Sequence, residues 1–138
     1  METKPYHAGM AHSPHPVEIE VRLGRLRLTA AARRVGQDVV VAIGGGDRPH
    51  IGCVVLAQGH PSTASESRPS STSSILVIPP HRDEAIARPV AEALARDLGV
   101  VVVATAGVHT EGLDARGIAD YRKLASQLAD RLGAALRR

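Results

Sequence analysis

Apolar and polar residues alternate from residue 17 onward. Val17, Ile19, Val21 and Leu23 fall between Glu18, Glu20, Arg22 and Gly24. A period of two puts the apolar set on one side of an extended chain, so this stretch predicts a half-buried strand. Leu26 and Leu28 resume the alternation, which runs on through Ala30 and Ala32, with Gly24-Arg25 as the tight turn of a hairpin. Residues 38–43 are apolar after Asp38 without alternation, the pattern of a central strand covered on both faces. Gly44-Gly45-Gly46-Asp47 ends that run. Residues 51–56 predict a further strand, 75–78 a buried strand closed by Pro79-Pro80, and the unbroken Val-Val-Val-Val-Ala of 100–104 the clearest buried strand of the chain.

Two segments change period. Ile86, Val90, Leu94 and Leu98 recur every four residues, which predicts an amphipathic helix ended by Gly99. Pro89 marks either its first turn or a kink. Ile118, Tyr121, Leu124, Ala125, Leu128, Leu132 and Leu136 mark one face of a long C-terminal helix, with Asp114 as its N-cap. A hairpin, further strands, a helix, a strand and a helix make one α/β domain over residues 16–138. The architecture expected is a sandwich of a mixed β-sheet with two main helices, covering at least one of its faces. Residues 1–15 carry prolines and histidines with no apolar period and are expected to be a flexible leader. Residues 59–74 are crowded with Ser, Thr and Pro and are expected to form a mobile loop, or a lid over a neighbouring site.

Composition narrows the chemistry. The chain has 138 residues, 43% hydrophobic, enough for one self-sufficient core. It has no Trp and no Phe, and its aromatics are Tyr6 and Tyr121. Its core is therefore aliphatic, and an aromatic platform for single-stranded nucleic acid is excluded. The net charge of +3 comes almost wholly from arginine and gives no case for a nucleic-acid partner. A single cysteine, Cys53, can make neither an internal disulfide nor a thiolate-rich zinc site. No apolar run approaches the roughly 20 residues of a membrane span, and the first residues lack the apolar core of a signal peptide. A cytoplasmic protein is expected.

Three segments could carry chemistry. Gly44-Gly45-Gly46-Asp47-Arg48-Pro49-His50 pairs backbone freedom with Asp47 and His50, and successive glycine amides could form an anion-binding nest. It is neither a Walker loop nor a dinucleotide fingerprint. Pro80-His81-Arg82-Asp83-Glu84 follows a strand and opens a helix, where His81 and Arg82 suit a phosphate or carboxylate. Asp83 and Glu84 are explained by the helix dipole. Thr105 to Glu111 places His109 beyond another strand end. If those strands are neighbours, the three segments share one rim. That rim could hold an anionic ligand, or His50, His81 and His109 could bind a divalent metal as a metal-dependent enzyme. No nucleophile or carboxylate pair stands out: Cys53 lies in an apolar strand, and the serines of 62–74 lack a Gly-x-Ser-x-Gly context.

Gly45-Gly46-Asp47-Arg48-Pro49-His50-Ile51-Gly52 resembles the Gly-Gly-Asp-x-Pro-His-Ile-Gly signature of the prenylated-flavin chaperone-like domains, the family of the small accessory protein of gallate decarboxylase. Residues 80–84, Ala87-Arg88-Pro89 and 106–109 are similar to further segments of that family. The resemblance spans about residues 16–136. It implies a fold similar to the proteasome assembly chaperones and a non-catalytic helper of a UbiD-type decarboxylase. Such a helper would bind or deliver prenylated flavin mononucleotide, or stabilise the apo-enzyme. Under that resemblance Gly44, Gly45, Gly46, Asp47, His50, His81, Arg82 and His109 form the cofactor-binding set, with no resident metal. The alternative is an assembly module without a small ligand, in which the apolar helix faces and the sheet edge make a homodimer or a partner surface.

Overall fold

The computed structural model describes residues 15–62, 68–80 and 83–138. Six strands form one sheet: β1 (Val17–Leu23), β2 (Leu26–Val35), β3 (Asp38–Gly46), β4 (Cys53–Pro61), β5 (Pro69–Val77) and β6 (Val101–His109). Helix α1 (Glu84–Leu98) lies between β5 and β6, and α2 (Ala115–Leu136) closes the chain. The strand order is β1-β2-β3-β6-β4-β5, with β3 and β6 parallel and every other pair antiparallel. This is the mixed α/β architecture with two helices expected from the pattern.

Gly24, at φ 58°, makes the β1–β2 turn, and Gly36, at φ 61°, the next. Asp114 caps α2, accepting from the Gly117 amide at 2.8 Å. Gly99, in the left-handed conformation, ends α1. Pro89 sits inside α1, not in its first turn.

The two helices pack side by side on one face of the sheet. Leu94 of α1 and Leu124, Leu128 and Leu132 of α2 are fully buried with Leu28, Val39, Val41, Val55 and Val102 of the strands. With no bulky ring to fill space, small residues bring the layers together: Ala87, Ala91, Ala95, Ala104 and Ala106 are all inaccessible.

Among the described residues no helix covers the other face of the sheet, and this corrects three expectations. β3 alternates buried and open positions instead of being covered on both faces. β6 alternates buried and half-buried positions over most of its length. β5 is an edge strand in which Leu76 is 76% exposed, not a buried strand. A run of valines satisfies a strand whether or not its outer face is covered, because β-branched side chains suit the pleat itself.

The mobile loop expected at 59–74 is largely hairpin. β4 runs on to Pro61 and β5 begins at Pro69, with Gly59 opposite Ser71 and His60 opposite Ser70. Ser and Thr pair here through the backbone ladder at the sheet edge, where burial is not needed. Residues 63–67 and the expected leader up to residue 14 lie outside the described residues.

Candidate functional site

β3 and β4 are separated by β6, so residues 47–52 must cross the end of β6. The crossing is tight. Along it the Asp47 amide donates to the His109 carbonyl (2.6 Å) and the Gly52 amide to the Ala106 carbonyl (2.8 Å). A Cβ on Gly107 would run into the His50 carbonyl, and one on Gly46, at φ 68°, into the His109 carbonyl. The glycines serve this close approach of backbones. Gly44 and Gly45 belong to β3 and stand opposite Thr29 and Leu28 on one side and Gly107 and Val108 on the other. Their amides point into ladders, not into an open nest.

Asp47, His50 and His109 stand at one end of the parallel pair β3–β6, in two separate groups. Asp47 Oδ2 accepts from the Glu111 amide at 3.1 Å. Glu111 Oε1 lies 3.0 Å from both Arg48 Nη2 and His109 Nε2. Those two partners hold the Glu111 carboxyl below its ordinary range, His109 first and Arg48 second. Arg25, in the β1–β2 turn, donates to the Glu111 carbonyl at 3.2 Å. His50 Nδ1 donates to the Arg48 carbonyl (3.0 Å), and its Nε2 faces Asp83 Oδ2 at 3.3 Å.

Asp83 is the best-buried acidic group described, 5% exposed at the head of α1. Its Oδ1 accepts from the Val108 amide at 2.9 Å, and its carbonyl accepts from the Ile86 and Ala87 amides. Sequence reasoning assigned it to the helix dipole and missed this role. His81 and Arg82, immediately before it, lie outside the described residues.

Beside Asp83 opens a cavity of about 460 Å³ between the start of α1, the end of β6 and the start of α2. Ile86, Val108, Leu113 and Ile118 give it apolar walls, and Arg122 and Glu84 stand on it. Thr110 Oγ1 and the Tyr121 hydroxyl meet across one wall at 2.5 Å. Glu84 Oε2 is buried there with no hydrogen-bond partner among the described residues. An unmatched carboxylate oxygen is an acceptor waiting for a donor. Glu84 is the second residue that sequence reasoning missed, and only its position at a helix start beside His81 and Arg82 hinted at it.

Among the described residues no group of three or more His, Cys, Asp or Glu is arranged to hold a metal ion. His50 and His109 each face a carboxylate instead. Nor is any described helix long and apolar enough to cross a membrane.

The family model for the prenylated flavin chaperone LpdD-like domain matches residues 22–137, and the chain belongs to that family. Its fold is similar to that of a chain in a crystal structure of a chaperone complex for yeast 20S proteasome assembly. The TM-score is 0.57 at 13% identity, covering 88% of this chain and 96% of that one. At that identity the likeness concerns the fold. No protein with a curated description matches the sequence.

Proposed function

We propose that this chain carries prenylated flavin mononucleotide in the cavity between α1 and α2, and presents it to a UbiD-type decarboxylase or steadies that enzyme before loading. Family membership supports the cargo. The observation that carries the site is the half-lined character of the cavity: apolar walls with two buried carboxylate oxygens, Asp83 Oδ2 and Glu84 Oε2, that accept no hydrogen bond among the described residues.

The residues present fit a flavin. A volume of about 460 Å³ lies in the range of small-ligand pockets. Aliphatic walls and Tyr121 can cover a ring system without a Phe or Trp. Glu84 can accept from a ring N–H. Arg122, the amides at the head of α1, and His81 and Arg82 just before it are the groups available to a phosphate. In this reading the flavin is cargo and the chain performs no bond-making step. Asp47, His50 and His109 act indirectly, by fixing the β3–β4 crossing against Asp83 and so the mouth of the cavity.

The test is retention of flavin absorbance by purified protein after desalting. Arg122→Ala and the double change His81→Ala with Arg82→Ala are each expected to weaken binding several-fold. Affinity unchanged in both would remove the site.

A further inference from the structure

The two edges of the sheet differ. β1 carries Glu18, Glu20 and Arg22, charges that keep other strands away. β5, at the other edge, has no charged residue between Pro69 and Pro80, and its register with β4 runs without a bulge from Pro69 to Val77. Proline, bulge and charge are the devices that blunt an edge, and residues 70–78 have none of them. Among the described residues β5 pairs with β4 alone. Leu76 and Ile78 are exposed beside that edge. Of the two surfaces expected for an interface, the apolar helix faces are buried against the sheet, and this edge remains.

The phase of the ladder shows which backbone groups are left over. The Ile78 amide donates to the Gly52 carbonyl at 2.9 Å, and the Ser62 amide to the Arg68 carbonyl at 2.7 Å. Hydrogen-bonded and non-hydrogen-bonded pairs alternate in an antiparallel ladder, so the even-numbered residues of β5 spend their amides and carbonyls on β4. Those of Ser71, Ser73, Ile75 and Val77 therefore point away from the sheet. Such a row is a template for another strand. Helix α1 supplies the register. Glu92 accepts from Ser73 and from Arg88, which lies one turn or about 6 Å away along the helix. α1 runs antiparallel to β5, since Ala95 near its end approaches Gly59, the partner of Ser71. Arg88 thus stands at the level of Ile75, about 6.6 Å along β5 from Ser73. The border of the edge is acidic at Ser73 and basic at Ile75.

We propose that a second copy of this chain pairs its β5 antiparallel with this one, about a twofold axis at Ser74, so that the two sheets become one. Centred on Ser74, the pairing sets Ser73 against Ile75 and Ser71 against Val77 of the second copy, and all four outward-pointing residues are matched. On the open face Thr72 meets Leu76 and Ser70 meets Ile78, which covers both exposed side chains. Beside α1 the acidic level of each copy meets the basic level of the other, Glu92 against Arg88. Centred instead on Ser73 or Ile75, the pairing would set Glu92 against Glu92 or Arg88 against Arg88. One register thus satisfies backbone phase, strand length and charge together, and it does so with the strand's own sequence. The assembly closes at two, because each chain has one such edge.

The pairing is independent of the flavin reading, because no residue of β5 lines the cavity. Its test is sedimentation equilibrium of the full chain from about 10 to 500 µM, since a strand pair is smaller than a standard interface of ~800 Å² per partner. The expected mass is twice 14.5 kDa. Ser71→Pro removes an amide that β4 does not use, and is expected to raise the dissociation constant at least about tenfold while circular dichroism stays unchanged. Ser74→Cys, exposed and on the axis, is expected to give a disulfide-linked dimer under mild oxidation, since opposite Cβ atoms there lie within ~5 Å. Cys53 is inaccessible and does not compete. Ser126→Cys, exposed on α2, is expected to stay unlinked under the same treatment. A monomer throughout, a dimer that survives Ser71→Pro, or a Ser74→Cys protein that links no faster than Ser126→Cys would each overturn the proposal.

Discussion

His50 Nε2 lies 3.3 Å from Asp83 Oδ2, so the crossing between β3 and β4 sits against the head of α1. The same carboxylate takes the Val108 amide at 2.9 Å. One buried side chain thus joins the crossing, the end of β6 and the first turn of the helix. The ends of this glycine-rich turn are thus tied to elements remote in sequence.

Asp83→Ala should therefore be costly. It strands the Val108 amide and removes the partner of His50, and an unpaired buried group costs about 1–3 kcal/mol. Thermal unfolding should show a loss in that range. His50→Ala should cost less, because its ring is partly exposed. Equal stability of Asp83→Ala and wild type would mean that Asp83 does not hold these elements together.

The glycines of the crossing offer a sharper contrast. An alanine at 107 meets the His50 carbonyl, which is backbone and cannot swing aside. An alanine at 36 meets nothing and suffers only its positive φ, a strain of about 1–2 kcal/mol. Gly107→Ala is expected to destabilise clearly more than Gly36→Ala in urea unfolding. The reverse order would contradict the close approach described for the crossing.

Hydrophobic periodicity located most of the fold. Val17 to Leu23 alternates because one side faces the helices, and Leu124, Leu128 and Leu132 recur because one stripe of α2 meets the sheet. What periodicity could not show was the open face. Val40 and Leu56 are apolar yet exposed among the described residues, and a pattern of residue types cannot distinguish a covered face of a sheet from an open one. The Ser/Thr stretch before Ile75 misled for the opposite reason: an edge strand is held by its backbone ladder, so its side chains give no apolar signal. The site was partly legible. Asp47, His50 and His109 stand at the same end of the parallel neighbours β3 and β6, but His50 turns to Asp83 while Asp47 and His109 turn to Glu111. The carboxylates of Asp83 and Glu84 were not legible, because an acidic pair at a helix start has an ordinary explanation until its burial is known.

Cys53 is inaccessible on β4, and burial, the largest influence, pushes its thiol up to about 11. A thiol reagent at pH 8 is expected to leave the native protein unlabelled and to label it fully in denaturant. Rapid labelling of native protein would show that the β4–α1 packing opens readily.

Glu92 of α1 ties the helix to the edge strand, accepting from Ser73 (2.6 Å) and Arg88 (2.9 Å). Burial works to raise its carboxyl, but the Ser73 hydroxyl and Arg88 outweigh it and hold the group below its ordinary 4.5. A lowered folded value means that ionised Glu92 stabilises the fold. That contribution is complete above about pH 4.5 and is lost as pH falls through the lowered value. The melting-temperature gap between wild type and Glu92→Gln should therefore be steady near neutrality and close below pH 4.5. A gap that widens in acid would reverse the sign and contradict the pairing.

The central claim is that this chain carries a prenylated flavin beside the head of α1. Native mass spectrometry of the protein from cells that also make the prenylated flavin tests it most directly, with the His81→Ala and Arg82→Ala double variant measured alongside. An added mass equal to that of the flavin is expected in the wild type, greatly diminished in the variant. Protein without added mass in both samples, although the cells contain the cofactor, would contradict it.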